Sequence, residues 1–237
     1  IAKKELLNIT NKFKYTMNAG KALNLLAKIY VKENNFEKAR EILSLVSKEY
    51  TKYAPDEVNK ANFLLAELLF YEGKFDSAQV MYANILRNIE SDIANDALER
   101  IYLLEENKNY IRDFTKYANV QLLLFQNKKN EAIEFLKDLI NTSVSEDLTQ
   151  RSLFEVCKLY FEINKYDSVI FYGNFLLEKN EKSIFADKVI LLIADSYIAL
   201  NQKEEAIKIL TKLLVDYPKS VYLQEARDKI KALRDNS

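Results

Sequence analysis

Five positions along the chain, Asn34, Gly73, Asn127, Asn164 and Asn201, each stand where one apolar helical pattern ends and another begins. Their spacings are 39, 54, 37 and 37 residues. Asn and Gly tolerate best the left-handed backbone that a helix adopts where it stops and the chain turns. Such a turn recurring at a near-constant interval predicts a stacked array of helix pairs, each packing on its neighbours. The 54-residue step exceeds the interval by about one helix. A surplus helix is therefore expected over Ser91 to Asn107, where Ile93, Ala97, Leu98, Ile101 and Leu104 keep the period.

Aligned on the turns, five stretches correspond: 26–43, 65–82, 119–136, 156–173 and 193–210. In each, apolar residues recur at i, i+3, i+4 and i+7, the one-face pattern of a packed helix. Glu37, Asp76, Asp167 and Glu204 fall in the first turn of the second helix, where a carboxylate complements the helix dipole. Only three glycines and two prolines occur in 237 residues, and helix-favouring residues dominate, so the chain is expected to be all-α.

Chemistry is narrowly bounded. With no histidine, Ser-His-Asp and Cys-His mechanisms are excluded, and the single Cys157 leaves no Cys/His metal site. Cys157 takes a small, helix-packing position and is expected to be buried and structural. The three glycines are too far apart for a phosphate loop. Lys+Arg and Asp+Glu number 35 each, without the one-sided positive field of a nucleic-acid binder. The longest apolar run, Val189 to Ala194, is far too short to span a membrane. The expectation is a non-enzyme without cofactor, metal or nucleic-acid partner.

The residues at these positions resemble the tetratricopeptide repeat family. Its small residue in the first helix is matched by Ala27, Ala66, Val120, Cys157 and Ala194. Its large residue three positions on is matched by Tyr30, Leu69, Leu123, Tyr160 and Tyr197, and its small residue in the second helix by Ala39, Ala78, Ala132, Val169 and Ala206. Pro218 answers the proline after the second helix, whereas Gly173 stands where a bulky residue is usual. The resemblance implies a right-handed α-α superhelix, a solenoid of antiparallel helix pairs whose first helices line a concave groove. That groove would hold a peptide or helix of a protein partner, and the chain could belong to a multi-protein complex. The partner-binding residues it implies are Lys28, Lys60, Phe63, Tyr71, Tyr117, Gln121, Phe125, Arg151, Phe154, Lys158, Phe161 and Lys188. Asn24, Glu67, Phe70, Phe114 and Leu191 fall on the same face. Alternatives are a structural subunit of a larger envelope assembly using convex or terminal surfaces, or a regulatory repeat region of a longer multidomain protein.

The expected organisation is a second helix of a truncated repeat at 1–19, two repeats at 20–90 and an extra linking helix at 91–109. Three repeats at 110–219 and a capping helix at 220–237 follow. A bend between two halves is expected at the extra helix. Because Ala2 precedes Ala39 by 37 residues, the chain is expected to continue N-terminally with further repeats. The closing segment DYPKSVYLQEARDKIKAL looks like bacterial cell-envelope members of the family. It suggests a periplasmic or outer-membrane-associated location, with the cytoplasm as the alternative.

Overall fold

A computed structural model describes residues 1–87 and 93–235. Thirteen α-helices and no strand occur among the described residues. The chain divides into two compact units, 1–128 and 129–237. Unit 1 contains α1 (Ala2–Lys12), α2 (Met17–Lys32), α3 (Phe36–Glu49), α4 (Pro55–Tyr71), α5 (Phe75–Ile85), α6 (Ala94–Asn107) and α7 (Ile111–Phe125). Unit 2 contains α8 (Lys129–Thr142), α9 (Glu146–Glu162), α10 (Tyr166–Lys179), α11 (Ala186–Ala199), α12 (Lys203–Asp216) and α13 (Leu223–Asp235). The unit boundary falls between α7 and α8, the two helices of the third expected repeat, and not within 91–109.

All five turn residues adopt the left-handed conformation: Asn34, Asn127, Asn164 and Asn201 at φ 58–62°, Gly73 at 74°. The local bonding is the same each time. The residue after the turn donates its N–H to the carbonyl five residues back, as from Asn35 to Tyr30 at 2.8 Å and Gln202 to Tyr197 at 2.8 Å. These bonds satisfy carbonyls that a helix C-terminus otherwise leaves orphaned. Helix starts are equally local. Thr16, Asn35 and Ser145 accept backbone N–H bonds as N-caps, and Pro55 opens α4. The expected carboxylates stand in the first turns of α3, α5, α10 and α12.

From α1 to α6 in unit 1 and from α8 to α13 in unit 2, successive helices pack as neighbours, and first helices also touch one another: α2 with α4, α4 with α7, and α9 with α11. All ten small residues at the two repeat positions have 0% exposure, so the helices of a pair close on them. The large positions fill less than expected. Leu123 is buried, but Tyr30, Leu69, Tyr160 and Tyr197 remain half-exposed. Gly173 shows why a bulky residue is missing: an added Cβ would lie 2.8 Å from the Ile193 side chain, so α10 approaches α11 only without one.

Two boundaries differ from expectation. The first helix ends at Lys12, not near Asn18, because Thr16 caps α2 and Phe13 to Thr16 make the turn. Tyr15 holds that turn at φ 58°. The surplus helix forms as α6 from Ala94; Ser91 and Asp92, expected in it, lie outside the described residues, as do 236–237 of the capping helix.

Candidate functional site

Unit 1 contains an open apolar trough of ≈ 600 Å³ between α1, α2 and the end of α7. Leu6 comes from α1, Leu25 and Ile29 from α2, and Phe125 from α7. Lys28 and Lys32, one turn apart on α2, stand exposed on one side, with Glu5 on the other. The trough exists because α7 is brought to the C-terminal end of α2. The Gln126 amide donates to the Val31 carbonyl at 3.3 Å and to Asn34 Oδ1 at 2.6 Å, while Leu122 and Phe125 pack on the core of α2 to α4. Phe125 also meets the Tyr71 ring, centroids 6.3 Å apart. On the opposite side, Lys3 pairs with Glu33 and lies over the Tyr30 ring, which fastens α1 to α2.

Of the expected groove residues in unit 1, Lys28 and Phe125 therefore share one trough, with Tyr71 beside it. Phe63 and Gln121 line a separate, polar hollow with Asp96, Glu99 and Arg100 of α6. Lys60 bonds the buried Glu57 at 2.9 Å. Tyr117 is only 5% exposed, which corrects its placement as a groove anchor: α7 turns that ring into its own packing face. Phe70 and Phe114 are likewise buried, edge-on to each other at 5.5 Å. Asn24 is buried and donates to the Glu57 carbonyl and carboxylate, both at 2.9 Å.

Glu67 departs furthest from expectation. Its carboxylate is buried and accepts a two-pronged pair from Arg100 of α6 at 2.8 and 2.9 Å. It also accepts from the Tyr71 hydroxyl at 3.0 Å and from the Tyr82 hydroxyl. Burial, reinforced by the Glu67 charge, raises both phenols well above the ordinary tyrosine value. Desolvation would pull Arg100 down, yet the Glu67 charge and bonds hold it above its ordinary value, so the guanidinium stays charged. A residue expected to face a partner instead holds the surplus helix.

In unit 2 the expected residues are divided. Arg151 is buried at 8% exposure, bonded to Asp147 at 2.8 and 3.0 Å and set over the Phe185 ring. That corrects its assignment as a groove residue, because its charge is used within α9. Phe154 stacks on Phe185 at 4.9 Å, and Lys158 lies over the Phe154 ring at 5.4 Å and also bonds Glu155. Phe161 packs on Tyr166 and belongs to the α9–α10 turn, and Lys188 is exposed at the start of α11. Leu191 is buried. The Cys157 thiol is buried in the α9–α10 contact, and burial pushes its pKa up to about 12, which removes it from nucleophilic chemistry near neutral pH.

The trough residues Leu6, Leu25 and Ile29 were missed by the sequence reading. The available signal was the amphipathic pattern of α1, whose apolar positions need a neighbour, but α7 supplies the third wall from a distance the pattern does not encode.

Comparison with known proteins agrees with the repeat reading in part of the chain. Residues 20–48, which contain most of α2 and α3, and residues 188–220, which contain nearly all of α11 and α12, each match a tetratricopeptide repeat model. No curated protein sequence matches the chain. Among solved structures, the P58(IPK) TPR domain is 14% identical with a TM-score of 0.41, covering 99% of this chain and 64% of that one. The APC/C hetero-tetramer Cut9-Hcn1 is 18% identical with a TM-score of 0.44, covering 98% of this chain and 46% of that one. The chain thus spans less than two thirds of the solved chains it resembles. It is an all-α helical-repeat protein in which two helix pairs, one in each unit, match the tetratricopeptide repeat.

Proposed function

We propose that the chain is a non-enzymatic protein–protein interaction scaffold, and that unit 1 seats an amphipathic peptide or helix of a partner in the trough between α1, α2 and α7. The observation that carries this reading is the trough itself: an open apolar floor of Leu6, Leu25, Ile29 and Phe125 beside Lys28 and Lys32. Leu25 is 52% exposed, unusual for a leucine on a packed helix pair. An apolar surface rimmed by charge is the form of a groove that takes anchor side chains.

Magnitudes limit the affinity. Two or three apolar anchors, at roughly 1.5–3 kcal/mol each, fall short of the −8 kcal/mol or so of a micromolar complex once association entropy is subtracted. One trough alone supports a transient complex, and a stable one needs further contacts within unit 1, for which Lys60 is a candidate. An envelope setting, in keeping with the closing segment of the chain, completes the proposal.

Crosslinking of the protein in its native cells, read by mass spectrometry, tests the proposal. Lys28 and Lys32 are expected to link to one partner, and Leu25→Asp to abolish those links while leaving the thermal melt unchanged. Links confined to outer lysines such as Lys208 and Lys231, untouched by Leu25→Asp, would refute the trough as the binding surface.

A further inference from the structure

A second exposed surface in unit 1 lies away from the trough, at the turns joining α1 to α2 and α3 to α4. Phe13, Tyr15, Met17 and Tyr53 are each 47–52% exposed, although they sit in only two short turns and their edges. The turns are held side by side. Tyr15 packs its ring on Tyr53 at 5.3 Å and on the buried Tyr50 at 5.8 Å, and Gly20 lets α2 approach Ala54 and Glu57, where an added Cβ would lie 3.3 Å away. Tyr15 is held in the left-handed conformation at φ 58°, costly for a bulky residue, and this keeps its ring in the cluster. The same turns and adjoining helix ends carry Lys12, Lys14, Lys48 and Lys52 against Glu49 and Asp56, a local excess of two positive charges in a chain of net charge zero. All six are exposed.

We propose that these two turns dock peripherally on an anionic membrane surface. Tyrosine settles at the headgroup level, where its ring is half in hydrocarbon and its hydroxyl stays wet, and phenylalanine beside it inserts as an apolar ring. Lysines beside them are drawn to anionic headgroups, and their long stems leave the ammonium in water while the rings insert. The composition separates this surface from a protein interface, whose core is depleted in lysine and enriched in arginine; no arginine occurs in either turn.

The test is sedimentation of the full chain with vesicles, either phosphatidylcholine alone or mixed with phosphatidylglycerol, with light scattering to record oligomeric state. Binding to the anionic vesicles is expected to exceed binding to neutral ones by about tenfold or more and to weaken as salt rises. The variants Phe13→Ser with Tyr53→Ser, and Lys14→Glu with Lys52→Glu, replace exposed residues, and each pair is expected to lower vesicle binding about tenfold with an unchanged circular dichroism melt. No binding to anionic vesicles, or binding that both folded variants retain, overturns the proposal. So does concentration-dependent dimerisation that the aromatic variant abolishes, because the cluster would then be covered by a second copy. Leu25→Asp is expected to leave vesicle binding intact, so failure of the trough reading and failure of this one are separable.

Discussion

Unit 1 and unit 2 are built from the same helix pairs but treat irregularity in opposite ways. Unit 2 runs from α8 to α13 with each helix packed on the next, and it closes α10 on α11 by shape, where Gly173 admits Ile193. Unit 1 has to place a surplus helix, and it does so with a buried ion pair, Arg100 to Glu67, roofed by two tyrosine hydroxyls. A regular array can rely on shape. An unpaired helix in an array needs a directional contact to fix where it sits, and that contact uses up polar groups that would otherwise face a partner.

The comparison breaks most sharply at Arg100. Arg100→Met leaves the Glu67 carboxylate buried without its cation, which is expected to cost about 3–5 kcal/mol. Urea unfolding should show the loss, and hydrogen exchange should place it in α4 to α6. Adding Glu67→Gln should recover much of it, because the stranded charge is then removed. If Arg100→Met alone costs under about 1 kcal/mol, the pair is a surface contact and the contrast between units disappears.

In unit 2 the corresponding stroke is Gly173→Ala. The new methyl must displace Ile193, an overpacking cost of about 1–3 kcal/mol, visible as a lower urea midpoint. Ile193→Val in the same chain should relieve part of it. The turns offer a smaller effect in both units. Asn34→Val and Asn201→Val force a β-branched residue to positive φ and should each cost about 1–2 kcal/mol; Asn201→Gly should be neutral or mildly stabilising, whereas Asn34→Gly also removes the bond from Gln126 and should cost stability.

Alkaline pH is the gentlest probe: burial also raises Tyr160, Tyr197 and Tyr217 of unit 2, but the larger shifts are in unit 1. Tyr71 and Tyr82 titrate above their ordinary value in unit 1, first because they are buried and then because of Glu67. A raised folded pKa means that their contribution is complete below the unfolded phenol value near 10. It declines as pH rises from there toward the folded value, since only the unfolded chain releases those protons. Thermal melts at about pH 9 and about pH 11 should therefore show unit 1 losing stability. Tyr71→Phe with Tyr82→Phe should flatten that slope, and an unchanged slope would remove these two hydroxyls as its source.

Much of the fold was legible because it is written locally. Each Asn or Gly turn, each first-turn carboxylate and each small residue at a helix contact acts within one helix pair, so a single stretch of sequence contains the whole physical reason. The candidate site was legible only where it stayed local as well. Lys28 could be read as outward from its helix position. The burial of Tyr117, Glu67 and Arg151 could not, because each is decided by a partner outside its own helix or by a turn of the packing face: α6 for Glu67, and Phe185 at the head of α11 for Arg151. The end of α1 was misjudged for a local reason, since Thr16 is a capping residue and Met17 begins a helix.

The tether from Gln126 to Val31 and Asn34 spans 92 to 95 residues and joins the first helix of the third repeat to that of the first. Repeat arrays ordinarily evolve by copying or losing a unit, because neighbours alone are in contact. Here a duplication between α5 and α6 would carry Gln126 and Phe125 away from α2 and open the trough. Unit 1 is thereby closed to the usual mode of growth. Its folding also has to wait for a distant contact, which slows a chain whose other contacts are near in sequence. Change in this region is confined to substitution, one side chain at a time.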